Sequence, residues 1–327
     1  MTQFIPSDFT SVSELADASI TEVVLAVGVF DGVHLGHQKL LRELLRLAKE
    51  LKAFPVVMTF SPHPRTLFRK EDPVRLLYSG EERSRLLCEA GAKAVVTVPF
   101  TKEFAALEPE KFLEKAVFSG PVRIRGICVG KHWRFGKNAS GDCTYLEKVA
   151  AEKGFVFSAV DELCLEKEPF CTVSSTKIRE MITSGDLLKA SEMLGRSYSL
   201  YGEVVRGYQV ASAKLSAPTA NLQISCGVLP PFGVYGAYAQ ISGGPEMIPA
   251  AVNIGISPTF REQYGQIEPR IEVHLLNDFH KDIYGQSMRL FLEGFIRQER
   301  IFSGPEELKQ QIRQDIASIH ALLKRKS

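Results

Sequence analysis

The chain has no long hydrophobic run: nowhere in its 327 residues does an apolar stretch approach the roughly 20 residues that a bilayer-spanning helix needs. It has little excess of charge. Forty Lys and Arg against 38 Asp and Glu leave a net charge of +2, which gives no basis for a nucleic-acid or membrane surface. Six cysteines, at positions 88, 128, 143, 164, 171 and 226, form no CxxC pair. In a chain this long, scattered cysteines are expected as reduced thiols. The N-terminus shows no basic stretch followed by a long apolar core, so no secretory signal is expected and the protein is placed in the cytoplasm. Repeats and low-complexity segments are missing, as are the GxxxxGK[ST] of a P-loop and the GxGxxG of a dinucleotide fingerprint. What remains is an ordinary globular composition, 45% apolar and 24% charged, long enough for two domains with separate cores.

The most informative stretch runs from Gly28 to His37 and reads GVFDGVHLGH. The apolar run Val23 to Val27 leads into it. Leu40, Leu41, Leu44, Leu45, Ala48 and Leu51 follow at helical spacing, so the stretch is a strand-to-helix corner. Gly28 and Gly32 allow a tight turn and close approach to a ligand. Asp31 precedes the helix, and His34 and His37 fall on one face of its first turn. A helix N-terminus favours phosphate, and two imidazoles add directed donors, so the corner reads as a nucleotide-phosphate site. Two histidines so spaced are also found on plain surfaces or as metal pairs, but no third ligand lies close in sequence.

Apolar strands and helical patterns then alternate. Strands are expected at Phe54 to Phe60, Ala94 to Val98, Ile124 to Val129 and Phe155 to Val160; helices at Glu81 to Ala90, Pro109 to Phe118 and Thr144 to Lys153. Ser11 to Ala18 suits a short helix. The alternation predicts a parallel sheet covered by helices on both faces, with ligands beyond the carboxyl ends of its strands.

Three further stretches follow strands or open helices. Thr59-Phe60-Ser61-Pro62-His63-Pro64-Arg65 is a stiff loop, expected beside the first corner. Val129 to Asn138 sets Trp133 and Phe135 among basic residues, where a flat ring could stack or the aromatics simply be buried. Ser174-Ser175-Thr176-Lys177-Ile178-Arg179 opens a helix that Ser174 or Ser175 can cap. It is either a well-capped helix or a second phosphate-binding element.

Gly185-Asp186 ends that helix and begins another, which Gly195-Arg196 ends. From about Ser199 the pattern changes to short alternating strands: Leu200 to Arg206, Ala220 to Ile224, Gly233 to Ile241, Ile248 to Ile256, Arg270 to Leu276 and Met288 to Ile296. These predict a small antiparallel barrel. A final helix from Pro305 carries Leu308, Ile312, Ile316, Ile319 and Leu323 as one stripe, expected to pack on the barrel. The domains are expected at 1–185 and 186–327. Within the second, Pro218-Thr219-Ala220-Asn221 offers oxygen ligands that suit Mg²⁺ on nucleotide phosphates, or is a turn entering a strand. In Ile271-Glu272-Val273 the acid points away from its apolar neighbours, toward a site or toward solvent.

Taken together these motifs resemble the bacterial bifunctional riboflavin kinase/FMN adenylyltransferases, the FAD synthetases. The opening corner is similar to GxFDGxHxGH, the HxGH signature of nucleotidylyltransferases; SSTKIR matches the SSTxIR partner motif that contacts the triphosphate of ATP. The resemblance implies a Rossmann-like nucleotidylyltransferase domain followed by a riboflavin kinase-like barrel. It implies ATP contacts at Gly28, Phe30, Asp31, Gly36, Ser174, Ser175, Thr176 and Arg179, with His34 and His37 catalytic. It places the flavin at Thr59, Phe60, Pro62, His63 and Pro64 of a TFxPHP loop, and at His132 and Trp133, where the family's VGxDFxFG has an acid and a Phe instead. In the barrel it implies Thr219 and Asn221 for Mg²⁺, Gly207 for ATP and Glu272 as the base for the riboflavin 5′-hydroxyl. Gly233-Val234-Tyr235, Asn253-Ile254-Gly255, Pro258-Thr259-Phe260 and Tyr284-Gly285 also match, and the EvHllDF segment carries one extra residue before Phe279. Ahead of PTAN the family is glycine-rich, whereas this chain has Ser212, Ser216 and Ala217. Glycines there cradle phosphates, so the kinase half is active, weakened or lost.

The expected chemistry is adenylylation of FMN by ATP, with phosphorylation of riboflavin by ATP in the barrel. ATP, Mg²⁺, riboflavin and FMN are the small molecules implied, with no nucleic acid, membrane or obligate protein partner. Alternatives stay open: an FAD synthetase with a silent barrel, a nucleotidylyltransferase for another acceptor, or a flavin-binding protein without activity.

Overall fold

The computed structural model describes residues 8–68, 74–165, 171–206, 219–256, 269–276 and 283–324. Gly207, Ser212, Ser216, Ala217 and Pro218 lie outside the described residues, as do 258–260 and 277–279. The chain divides into two compact units, Met1–Ser175 and Thr176–Ser327.

The first unit is built on a six-stranded parallel sheet of β1 (Asp8–Phe9), β2 (Glu22–Val27), β3 (Phe54–Ser61), β4 (Ala94–Pro99), β5 (Arg123–Gly130) and β6 (Val156–Val160), in the order β1-β4-β3-β2-β5-β6. Val23 to Val27 are all buried, the continuous apolar run of a strand covered on both faces. From β2 the chain moves outward through β3 to β4, then returns to the other side of β2 with β5. The end of β2 is therefore a topological switch point, where open sheets of this kind bind ligands. Helix α1 (Leu35–Glu50) leaves it and buries Leu40, Leu41, Leu44, Leu47 and Ala48. Leu47, absent from the expected stripe, belongs to it because positions seven apart return to one helix face. Leu45 is half-buried beneath Gly91, where a Cβ would approach its Cδ1 to 2.8 Å. Beyond β3, Phe60 packs with Phe104 and Phe112 at centroid distances of 6.4 and 6.2 Å, and Phe112 with Phe135 at 5.4 Å.

The second unit is a closed antiparallel barrel of β9 (Ser199–Val205), β10 (Thr219–Ile224), β11 (Gly233–Ile241), β12 (Ile248–Ile256), β13 (Pro269–Leu275) and β14 (Ser287–Arg297), ordered β10-β13-β12-β11-β14-β9. Its last helix (Pro305–Lys324) buries Ile319 and Leu323. Gly236 and Gly294 let this helix approach: a Cβ at either would come within 2.9 or 3.0 Å of Leu322 Cδ2. The expected fold class, a Rossmann-like sheet followed by a small barrel and a terminal helix, is the observed one. The two-residue strands β1, β7 (Cys164–Leu165) and β8 (Cys171–Thr172) carried no pattern long enough to read. Among the described residues no helix is long and apolar enough to cross a membrane.

Candidate active sites

The corner after β2 is conformationally costly and held from several sides. Phe30, Gly32 and Val33 have φ of +55°, +86° and +41°. Only the glycine tolerates this freely, and a β-branched residue such as Val33 is strained there. The surrounding contacts fix it. The carbonyl of Val29 accepts from Thr59 Oγ1 at 2.9 Å and from Arg83 Nη1 at 3.3 Å. Arg83 Nη2 donates to the Phe60 carbonyl at 3.4 Å, so one buried guanidinium joins the ends of β2 and β3. Asp31, 2% exposed, accepts from Leu77 N–H at 2.9 Å through Oδ1, while its carbonyl accepts from Ser175 Oγ at 2.8 Å.

Out of this corner the two histidines emerge stacked. His34 is the N-cap of α1, and its Nδ1 accepts from His37 N–H at 3.3 Å. With Nδ1 accepting, the proton of the neutral ring sits on Nε2. The two rings lie 3.6 Å apart at 15°, and Phe30 flanks His37 at 5.1 Å. Gly36 leaves room for this arrangement: a Cβ there would lie 3.2 Å from both Cε1 and Nδ1 of His34. Gly28 likewise faces the Phe30 ring at 3.1 Å; its φ is not positive, so its role is space rather than conformational freedom.

The loop after β3 lies beside the corner, as expected. Its residues divide into two groups. Thr59 and Phe60 turn inward, with 0% and 4% exposure, into the hydroxyl–carbonyl bond and the aromatic core. Pro62 is exposed, His63 is buried with Nδ1 accepting from Arg65 N–H at 3.1 Å, and Pro64 opens the short helix Pro64–Phe68. Across the switch point, His132 and Trp133 follow the end of β5. His132 is exposed, and half-buried Trp133 stacks on buried Phe135 at 4.6 Å. Both flanks of this loop are tied down, Lys131 to Asp161 at 2.8 Å and Arg134 to Asp142 at 2.9 Å. The Asp142 carboxyl is held below its ordinary range first by the Tyr145 N–H that it caps, and also by Arg134.

The helix Ser175–Ser184 begins directly after Ser174. Ser175 is anchored on Asp31, whereas exposed Thr176 and half-buried Arg179 follow in the part of the chain assigned to the second unit. Arg83 was missed by sequence reading. Nothing in the charged run Glu81 to Arg85 marks two of its members, Glu82 and Arg83, as buried.

In the barrel, Ile271 and Val273 face inward at 2% and 1% exposure, which turns Glu272 outward. Asn221 of β10 and Asn253 of β12 lie directly across from Glu272. Arg270, also missed, reaches between them: its Nε donates to Asn221 Oδ1 at 2.8 Å and its Nη2 lies 3.0 Å from Glu272 Oε1. Asn253 Nδ2 donates to Glu299 Oε1 at 3.3 Å. A hard amide oxygen and a carboxylate thus already embrace one cation, the guanidinium. The Asn221 amide oxygen is a hard donor of the kind that suits a metal ion on nucleotide phosphates.

Comparison with known proteins bears on both units. Residues 16–177 match the FAD synthetase family, and residues 194–323 match the riboflavin kinase family. The chain is 33% identical over 304 residues to the bifunctional riboflavin kinase/FMN adenylyltransferase of Escherichia coli (strain K12), covering 93% of this chain and 94% of that one. It is 32% identical over 295 residues to the bifunctional riboflavin kinase/FMN adenylyltransferase of Bacillus subtilis (strain 168), covering 89% and 90%. Among solved structures it is similar to a macrolide-efflux protein from Streptococcus pneumoniae, with a TM-score of 0.78 at 26% identity over 92% of this chain and 94% of that one.

Proposed function

The chain belongs to the bifunctional riboflavin kinase/FMN adenylyltransferase family, and we propose that it carries both reactions, FMN adenylylation in residues 1–185 and riboflavin phosphorylation in residues 186–327. The observation that carries the first assignment is the stacked pair of His34 and His37 at the N-terminus of α1, beyond the switch point of a parallel sheet.

In the adenylylation step an FMN phosphate oxygen attacks the α-phosphorus of ATP. The bond from that phosphorus to the bridging oxygen breaks, and pyrophosphate leaves with its electron pair. Catalysis of this kind is positioning together with donors aimed at the charge growing on the phosphoryl oxygens. His34 Nε2–H and the His37 ring supply such donors beside the helix N–H groups. Gly28, Phe30, Asp31 and Gly36 shape the nucleotide side of the corner, with Asp31 acting through its hold on Leu77 and Ser175. Ser174, Ser175, Thr176 and Arg179 hold the departing pyrophosphate. Thr59 and Phe60 support the flavin side by fixing the backbone, whereas Pro62, His63, Pro64, His132 and Trp133 rim it.

In the barrel Glu272 takes the proton of the riboflavin 5′-hydroxyl as its oxygen attacks the γ-phosphorus of ATP and ADP leaves. Thr219 and Asn221 would hold Mg²⁺, which neutralises phosphate charge when bound. Gly207 would lie along the nucleotide.

One chromatographic assay tests both halves. Purified protein is given riboflavin, ATP and Mg²⁺ in one tube and FMN, ATP and Mg²⁺ in another. FAD in both is the expected result. FAD from FMN alone would reject the kinase assignment, and no product in either would reject both.

A further inference from the structure

Arg270 belongs to no motif that points to the barrel site, yet it touches both Glu272, proposed as the base, and Asn221, proposed as a metal ligand. Its Nε donates to Asn221 Oδ1 at 2.8 Å, and its Nη2 lies 3.0 Å from Glu272 Oε1. The strand register brings these residues close. Asn221 pairs with Glu272, and Arg270 lies two residues earlier on the same face of β13. The bond leaves Asn221 only 8% exposed. An Asn side chain has one oxygen, and that oxygen is the atom a hard cation would use. Here it is committed to a guanidinium. A divalent ion arriving at the same oxygen meets a like charge within contact distance, so the two compete.

We propose that Arg270 is a positioning residue that serves as a cationic placeholder. It holds the Asn221 oxygen and the Glu272 carboxylate in register while no divalent cation is bound, and it releases Asn221 when the nucleotide-borne cation arrives. This rests on the kinase reading above. Two consequences follow. Divalent-ion binding is weakened by the work of displacing Arg270, and the base is orientated before substrate binds.

The test uses the full chain and the binding of ADP, measured by calorimetry with Mg²⁺ and again with a chelator. The ratio of the two dissociation constants isolates the metal's contribution. Arg270→Met keeps much of the apolar stem and removes the charge. It is expected to raise that ratio about fivefold or more, the scale of removing one like charge beside a half-buried cation. Arg270→Lys keeps the charge without the planar fork and is expected to leave the ratio near the wild-type value. In an Asn221→Ala background Arg270→Met should no longer move the ratio. In riboflavin phosphorylation, Arg270→Met should lower both the Mg²⁺ concentration at half-maximal rate and kcat. A merely structural ion pair would lower kcat alone. An unchanged or smaller ratio in Arg270→Met overturns the proposal, and should that variant lose its cooperative melting, Arg270→Gln is measured with the same expectation. Wild-type protein that makes neither FMN nor FAD from riboflavin would instead refute the kinase reading, an outcome separate from the binding ratio.

Discussion

The Nδ1 of His34 accepts the backbone N–H of His37, so one imidazole caps the helix on which the other is carried. Position 34 thereby caps the helix in addition to the chemistry proposed for it, and substitutions can separate the two. His34→Ala should lose an N-cap, about 0.5–2 kcal/mol, and also a transition-state donor. His34→Asn restores a good capping side chain and should recover the melting temperature. FAD formation from FMN should stay down by about 10²–10³, the usual effect of removing such a donor. His37→Ala should lower turnover similarly while FMN binding persists. Near-normal turnover in His34→Asn or His37→Ala would remove that histidine from the mechanism.

The guanidinium of Arg83 donates to Val29 and Phe60, the carbonyls at the ends of neighbouring strands. Arg83→Met would take one donor from each of two carbonyls, of which Val29 keeps Thr59, at about 0.5–1.5 kcal/mol for each hydrogen bond lost. The strained backbone at Phe30 and Val33 would lose a brace. The expected outcome is a lower melting temperature together with reduced adenylylation, whereas riboflavin phosphorylation in the same preparation stays close to normal. An equal loss of both activities would show that Arg83 matters only for folding of the whole chain.

The contrast between Arg83 and the histidines shows what could be read from the sequence. His34, His37 and Ser175 sit in short contiguous motifs at element boundaries, where strand and helix periodicities change within a few residues. The same periodicities gave the parallel sheet and the six barrel strands, because an apolar run or an alternating face is a local signal. Arg83 lies 54 residues from Val29, and Arg270 lies 49 from Asn221, so their partners are set by strand order and register. Single-residue composition carries neither. Thr59 and Phe60 show the converse: their motif was legible, but the direction in which each side chain points depends on Arg83, Phe104 and Phe112 packing behind it.

Glu272 is half-buried and paired with Arg270, and its assignment as the base gives a sharp expectation. Glu272→Gln keeps shape and hydrogen-bonding capacity while removing the proton acceptor. Riboflavin phosphorylation should be lost and FAD formation from supplied FMN should be retained, read in the two-tube assay. Retained phosphorylation would mean that another group takes the proton.

In the barrel unit, Asp315 of the terminal helix is 5% exposed and receives Arg297 through both oxygens, at 2.9 and 3.0 Å from Nε and 2.9 Å from Nη2, with Gln311 adding a third donor group. Removing one member of such a buried pair typically costs about 3–5 kcal/mol, because the other charge is left without compensation. Asp315→Ala should therefore lower the melting temperature of the barrel unit strongly. Arg297→Met combined with Asp315→Leu should restore much of it. A double variant as unstable as the single one would show that the pair is needed for packing rather than for charge balance.

Gly36 offers the cleanest separation of stability from chemistry. In the first turn of α1, replacing glycine by alanine gains up to about 1 kcal/mol in helix propensity. Yet the new Cβ would stand 3.2 Å from Cε1 and Nδ1 of His34, closer than a relaxed contact allows. The imidazole must then shift by a few tenths of an ångström, away from its stack on His37 and from the N–H that it caps. Small displacements of a donor aimed at a developing charge are felt strongly in rate. Gly36→Ala is therefore expected to leave the melting temperature unchanged or slightly raised while FAD formation from FMN falls at least about tenfold. The measurement pairs a thermal melt with a turnover assay on one preparation. Turnover that survives with the melt would show that the position of the His34 ring is not what the glycine protects.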